Sequence, residues 1–203
     1  VATVTVDLRT NQVLALTGGR DFRATQFNRA MDSRRQIGSI VKPFVFWPAM
    51  GERDALTSVL DEPFEWKLDK TIWKPRNYEK TAGGELPYFL ALAKSLNIPT
   101  AHVGQEIGLD AIIQTLRSAG LTGNIPKLPS LTLGALELSP LEVAQIYSSL
   151  ARLAPGDRVH TLIRVESPSG AVLFNHQQVE DFNLNSKNSA IVVGMLEQSL
   201  IVG

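Results

Sequence analysis

The chain contains no cysteine, which excludes disulfides, thiolate metal sites and a cysteine nucleophile while leaving the redox compartment open. It also lacks an excess of either charge, because Lys plus Arg and Asp plus Glu number 20 each. No long-range field gathers nucleic acid or an anionic membrane surface, so neither is implied as a partner. No apolar run approaches the ~18–20 residues of a membrane span, and no charged start followed by an apolar stretch marks a signal peptide. Any targeting or anchoring segment is therefore expected outside these residues. Histidines are few: His102, His160 and His176 stand alone in the sequence, without the carboxylate or second histidine at i+3 or i+4 that metal ligation on a helix requires. Gly18-Gly19 lacks the third glycine and helix start of a dinucleotide loop, and no Walker lysine motif occurs. Neither a metal nor another cofactor is expected.

What is present suffices for a packed core, with 203 residues of which 44% are hydrophobic. Val4, Val6 and Leu8 alternate with polar residues, Arg9 to Gln12 is a turn, and Val13 to Leu16 is a return strand, so the chain opens on a hairpin. An apolar stretch from Ser39 to Met50, with Pro43 near its start, predicts a helix beginning at Ser39. Residues 51 to 86, rich in charge, Pro and Gly, are expected to form a long loop or irregular lobe. Helices fit Pro87 to Lys94, Thr100 to Ile107 and Leu109 to Ala119, with a break around residues 95 to 99. Ser139-Pro140-Leu141-Glu142 is a capping box with proline at the first helical position, followed by Val143, Ile146, Tyr147 and Leu150 at helical spacing. Beyond a turn at Pro155-Gly156, residues 160 to 165 and 171 to 174 flank Ser167-Pro168-Ser169-Gly170 as a second hairpin. Asn185-Ser186 is expected to cap a last helix. Both ends have the look of cuts, since Val1 opens directly into strand pattern and residues 190 to 196 are apolar and helical in mid-flow.

One short pattern has chemical potential: Gly38-Ser39-Ile40-Val41-Lys42-Pro43. Serine and lysine three apart at a helix start share a face, about one turn apart and within hydrogen-bond reach. A serine hydroxyl is a weak nucleophile until a base takes its proton, and a partly buried lysine can be that base. The Ser39 N–H, at the same helix start, points where an oxyanion would form. A plain structural alternative stands beside this: Ser39 as N-cap and Lys42 as a solvated residue. The pattern alone arises by chance about once in 200 residues.

Ser95-Leu96-Asn97 supplies a second pattern, in the expected break between helices where both side chains can face a cleft. Together the two resemble the serine-dependent penicillin-recognising enzymes. More of the chain joins the resemblance: Gly18-Gly19-Arg20-Asp21-Phe22, Phe27-Asn28-Arg29-Ala30 and Arg35-Gln36-Ile37-Gly38-Ser39 are similar to the approach to the nucleophile in class A, bifunctional penicillin-binding proteins. Trp73 to Tyr78, Ala91 to Thr100, and Leu133-Gly134-Ala135 leading into Ser139 to Ala144 match the same family in the same order. The resemblance implies an α+β fold of the penicillin-binding transpeptidase and serine β-lactamase type, with helices packed on an antiparallel sheet, and residues 1–203 as a partial transpeptidase domain lacking its C-terminal strands. It further implies a D,D-transpeptidase in which Ser39 is acylated, Lys42 is its base, Ser95 relays a proton to the leaving nitrogen and Asn97 holds the substrate amide. Implied partners are peptidoglycan stem peptides ending in D-Ala-D-Ala and β-lactam antibiotics, with a glycosyltransferase domain upstream. The implied location is extracytoplasmic, periplasmic or on the outer face of the cytoplasmic membrane. Rival assignments are a β-lactamase or β-lactam sensor sharing the two motifs, or a non-catalytic scaffold on a decayed transpeptidase fold.

The family's third motif, Lys-Thr/Ser-Gly after the Ser-x-Asn motif, does not follow Asn97. Lys80-Thr81-Ala82-Gly83 has an extra residue and precedes Ser95, so it is set aside. On the family pattern the missing strand holds the substrate carboxylate and a second oxyanion N–H. Since one lost oxyanion donor typically costs ~10²–10³ in rate, these residues alone are expected to acylate poorly or not at all. Ser186-Lys187-Asn188 repeats Ser-x-Asn at a predicted helix start and is expected to be a cap. Arg34, Arg35, Trp73 and Tyr88 could line a groove, but surface exposure and packing explain them equally, and they are left out of the site.

Overall fold

In the computed structural model, residues 1–68, 71–78, 83–153, 158–177 and 186–202 are described. Among them are seven α-helices: α1 (Lys42–Ala49), α2 (Tyr88–Ala93), α3 (Asn97–Ile107), α4 (Leu109–Ser118), α5 (Pro140–Ala151), α6 (Ser186–Glu197) and α7 (Ser199–Val202). With short antiparallel strand pairs between them, the class is α+β as expected. The chain divides into two compact units, one comprising Val1–Arg34, Ser118–Leu121 and Leu138–Leu184, the other Arg35–Arg117, Thr122–Glu137 and Asn185–Gly203.

In the first unit, the opening hairpin pairs Thr3–Val6 with Val13–Thr17, and α5 packs on its first strand. The predicted capping box is formed: Glu142 N–H donates to Ser139 Oγ at 3.3 Å and Ser139 N–H donates to Glu142 Oε2 at 2.8 Å. Arg34 ion-pairs with that Glu142, so the carboxylate serves a helix start and a guanidinium together. The second hairpin pairs Arg164–Glu166 with Val172–Asn175, each arm running one residue past the predicted 160 to 165 and 171 to 174. The turn expected at Pro155-Gly156 lies outside the described residues. The hairpin brings the rings of His160 and His176 into a stack 3.6 Å apart, with the His176 backbone N–H donating to Ile163 C=O at 2.7 Å. Sequence spacing of 16 positions hides a contact that strand return creates. No group of three or more His, Cys, Asp or Glu that could hold a metal occurs among the described residues.

The second unit is built around α1, in which every residue from Lys42 to Trp47 is buried. A helix apolar on all sides belongs in a core, and α1 packs on α3 and α6, with α2 also on α6. Tyr88 is part of this core and not of a groove: it is 1% exposed, meets Phe46 edge-on at 5.5 Å and donates its hydroxyl to Glu106 at 3.3 Å. Trp73 likewise packs against Trp66, at 6.2 Å. The segment expected as a loop, 51 to 86, holds two nested antiparallel pairs, Ser58–Asp61 with Gly84–Pro87 and Trp66–Leu68 with Thr71–Trp73. Runs of three or four residues are too short for period-two alternation to emerge from the background. Residues 69–70 and 79–82 lie outside the described residues, as do Lys80, Thr81 and Ala82 of the rejected near-match.

Two helix starts differ from expectation. The predicted helix from Ser39 begins instead with a 3-10 turn, Gly38–Val41, and becomes α-helical at Lys42. Helix α3 starts at Asn97 and absorbs Pro99 in its first turn, where a missing N–H is harmless. Asn97 is thus the first residue of a helix and not part of the break. At α6, Asn185 lies outside the described residues, and Asn188 is not a cap. It is 8% exposed, and its amide donates to Met50 C=O and accepts from Gly51 N–H, 3.1 Å each, tying the end of α1 to α6. No helix among the described residues is long and apolar enough to cross a membrane.

Candidate active site

Ser39 lies in the 3-10 turn and is exposed, with Lys42 one turn on and buried. The turn is held from outside its own sequence. Ile37 N–H donates to Leu136 C=O at 3.0 Å, and Gly38 N–H to Gly134 C=O at 3.2 Å. Gly134 has φ +82°, and a Cβ there would fall on the backbone of Gly38. No other residue type fits that approach, which gives the Leu133-Gly134-Ala135 segment its physical purpose: it is the surface against which the Ser39 turn rests. The cap position of the turn is Ile37, with no side-chain cap. Ser39 is therefore not spent as an N-cap, and its hydroxyl forms no hydrogen bond among the described residues.

Lys42 is 1% exposed, and burial pulls its pKa down from 10.5 to about 8. Desolvation penalises the ammonium and leaves the neutral amine accessible near physiological pH. The direct Ser39–Lys42 hydrogen bond anticipated from spacing is not formed. Instead Lys42 Nζ donates to Ser95 C=O at 2.5 Å, to Asn97 Oδ1 at 2.7 Å and to Ser95 Oγ at 3.1 Å. Those three acceptors match the three protons of an ammonium. Two of them, the carbonyl and the amide oxygen, can only accept. When the amine loses a proton, its two N–H bonds stay on these two oxygens, and its lone pair is left to face a hydroxyl.

Ser95 owes its position to the end of α2. Ser95 N–H donates to Leu92 C=O at 2.9 Å and Leu96 N–H to Ala91 C=O at 3.0 Å, the paired bonds of a Schellman motif. Its φ is +52°, a left-handed value that costs an L-residue ~1–2 kcal/mol and is usually given to glycine. In that conformation both the carbonyl and the hydroxyl of Ser95 reach Lys42. Asn97 closes the group: besides accepting from Lys42, its Nδ2 donates to Arg76 C=O at 2.8 Å. The other Nδ2–H has no such tie among the described residues. Beside Ser95 opens a cavity of about 710 Å³ whose walls include Asp61, Asn77, Glu85, Leu90 and Lys94.

Tertiary structure thus gathers Lys42, Ser95 and Asn97 by direct hydrogen bonds, with Ser39 on the turn that leads into Lys42. Arg76, Asn77 and Gly134 also hold this group together, and the sequence reading gave them no role. Their only signal was membership of segments that matched a family pattern in order. The contacts themselves run between positions far apart in the chain.

Residues 1–199 match the family described as the penicillin-binding protein transpeptidase domain. Penicillin-binding protein 1B of Vibrio cholerae is 36% identical over 178 residues, 85% of this chain and 23% of that protein. Its namesake in Escherichia coli is 31% identical over 180 residues, again 85% of this chain but 21% of the relative. The chain therefore spans less than a quarter of the length of these relatives. In fold it is similar to penicillin-binding protein 1A of Haemophilus influenzae, with TM-score 0.85 and 20% identity over 98% of this chain and 35% of the other. Penicillin-binding protein A of Mycobacterium tuberculosis, solved as an imipenem acyl-enzyme complex, gives TM-score 0.80 and 18% identity over 100% of this chain and 57% of the other. With motifs in family order, a shared fold and a family match running from the first residue to residue 199, the chain belongs to the penicillin-binding protein transpeptidase domain family.

Proposed function

We propose that this chain carries the nucleophile, base and relay of a serine D,D-transpeptidase that cross-links peptidoglycan stem peptides ending in D-Ala-D-Ala. The supporting observation is the buried Lys42 amine, with its pKa near 8 and two N–H bonds committed to pure acceptors, one turn from an exposed serine that caps nothing. At pH 7 such an amine is neutral in roughly a tenth of molecules, against roughly 0.03% for an ordinary lysine.

Ser39 Oγ attacks the carbonyl carbon of the penultimate D-alanine while its proton passes to the neutral Lys42 amine. The negative charge forming on the carbonyl oxygen faces the Ser39 N–H, which makes no backbone hydrogen bond among the described residues. As the tetrahedral adduct collapses, the C–N bond breaks, the leaving nitrogen takes a proton from Ser95 Oγ, and Ser95 is reprotonated by Lys42, 3.1 Å away. The terminal D-alanine departs and an ester to Ser39 remains. An amine of a second stem peptide then attacks that ester, giving its proton back through the same route and restoring Ser39. Asn97, with one Nδ2–H outside the Arg76 contact, offers a donor to the substrate amide. β-Lactams acylate Ser39 by the same opening step, breaking the ring C–N bond, and inhibit because the ester hydrolyses slowly. The acting protein is placed outside the cytoplasmic membrane, joined to a glycosyltransferase domain.

Intact-mass measurement of the natural polypeptide after exposure to benzylpenicillin tests this. A stable adduct is expected, absent in Ser39→Ala. Turnover of the antibiotic without an adduct would instead establish a β-lactamase, and no reaction at all would leave a scaffold.

A further inference from the structure

Helix α3 has a start that its own sequence cannot cap. Leu96 occupies the cap position with no side-chain acceptor, and Asn97, the first helical residue, spends its amide on Lys42 and Arg76. Orphan N–H groups at a helix start need an acceptor, and here it comes from a remote loop: Asn77 Oδ1 accepts from both Asn97 N–H and Ile98 N–H, 3.0 Å each. The other end of that amide is also fixed, because Asn77 Nδ2 donates to Asp61 Oδ1 at 2.6 Å. Asp61 is 4% exposed and ends a paired strand opposite Gly84, so it is a rigid acceptor that leaves the Asn77 amide only one orientation. The neighbouring Arg76 carbonyl does the same for Asn97, since holding Nδ2 at 2.8 Å leaves Oδ1 facing Lys42.

We propose that Asn77, oriented by Asp61, is a positioning residue of the acyl-transfer site, holding the start of α3 so that Asn97 Oδ1 takes one N–H of Lys42 and the amine's lone pair faces the Ser95 hydroxyl. Asn77 touches neither serine nor lysine. It acts through Asn97, and the inference rests on the assignment of Ser39 and Lys42 to acyl transfer. The same bonds give the Trp73 to Tyr78 loop a place at the site: through Asn77 it completes the start of the helix that carries Asn97.

The test compares the natural polypeptide with Asn77→Ala, Asn77→Asp and the swap Asp61→Asn/Asn77→Asp, reading the second-order rate of labelling by a fluorescent penicillin from about pH 6 to 9.5, with urea unfolding beside it. Asn77→Ala is expected to label on the order of 10²-fold more slowly, the usual consequence of a reacting group displaced by about 1 Å. Its pH profile should shift to lower pH, because the Lys42 ammonium loses an acceptor that favours the charged form. Asn77→Asp sets two carboxylates in contact and should fall similarly. The swap exchanges donor and acceptor while keeping an oxygen on both N–H groups, and should recover most of the rate, which a merely structural loop would not require. Asn77→Ala labelling at the wild-type rate and pH profile, even with weakened urea resistance, overturns the inference, as does a folded swap that recovers nothing. If Asn77→Ala fails to fold, the swap against Asn77→Asp decides. Wild-type protein that penicillin does not label overturns the acyl-transfer assignment instead. A ¹³C NMR titration of Lys42 in wild type and Asn77→Asp then still decides the positioning role, with unchanged titration counting against it.

Discussion

If neutral Lys42 is the base, the pH dependence of serine acylation must follow the deprotonation of a lysine with a pKa of about 8. Let the pH be raised from 6 to 9.5 at constant ionic strength. The neutral fraction climbs from roughly 1% at pH 6 to a tenth at pH 7, half at pH 8 and about nine tenths at pH 9. The acylation rate constant for a fluorescent penicillin, followed by stopped-flow labelling, should therefore rise about ninety-fold and level off above pH 9. Lys42→Met should lack both the rate and the inflection. The same shift has a stability consequence of definite sign. Between pH 8 and 10.5 the unfolded chain holds the lysine proton and the folded chain does not, so stability rises with pH across that window. Below about 8 the full cost of burying the ammonium is present; above 10.5 it is gone. A shift from 10.5 to about 8 corresponds to about 3 kcal/mol at ~1.4 kcal/mol per pKa unit. Urea unfolding of wild type and Lys42→Met at pH 7.5 and 10.5 isolates it, because titrations common to both cancel. A labelling rate flat from pH 6 to 9, or an inflection near 10.5, refutes the assignment of Lys42 as a desolvated base.

Two further outcomes follow from the backbone around the site. Gly134→Ala places a Cβ on the backbone of Gly38 at φ +82°, so it should cost at least ~1–2 kcal/mol in urea unfolding and slow labelling by moving the Ser39 turn; a variant that labels normally would show that the turn does not depend on Gly134. Ser95→Ala and Ser95→Gly both remove the hydroxyl that Lys42 reaches and should both lose acylation, yet the glycine variant should unfold ~1 kcal/mol later than the alanine one, because φ at this position is +52°; the ordinary ranking of alanine above glycine would count against the strain.

What could be read from the residues was local. The capping box at Ser139 and Glu142 spans one helical turn, and its bonds formed as its letters imply. The two hairpins were visible from alternation and turn residues. The strand pairs between 51 and 86 were missed because strands of three or four residues leave almost no periodic signal. Ser39 could not be separated from an ordinary helix cap by its immediate neighbours. The order of several matching segments raised it above that alternative, and the structure shows the cap position to be Ile37. The start of α3 was misplaced because a Pro at position 99 signalled a break, whereas in a first turn it is tolerated.

By itself, then, the sequence determined that a serine and a lysine three apart lead into one apolar helix, that Ser95 and Asn97 lie at a helix junction, and which stretches form most of the helices and the two hairpins. Such features depend on contacts within a few residues, where chain geometry leaves little choice. Tertiary structure decided what those residues do to each other. It turned the Lys42 amine toward Ser95 and Asn97 and away from a direct bond to Ser39, held Ser95 left-handed, set Gly134 behind the Ser39 turn and brought Asn77 to cap a helix that begins twenty residues later. Each of these joins segments remote in the chain, and burial of a polar group forces the pairing: an amine withdrawn from water must find its acceptors wherever the fold presents them.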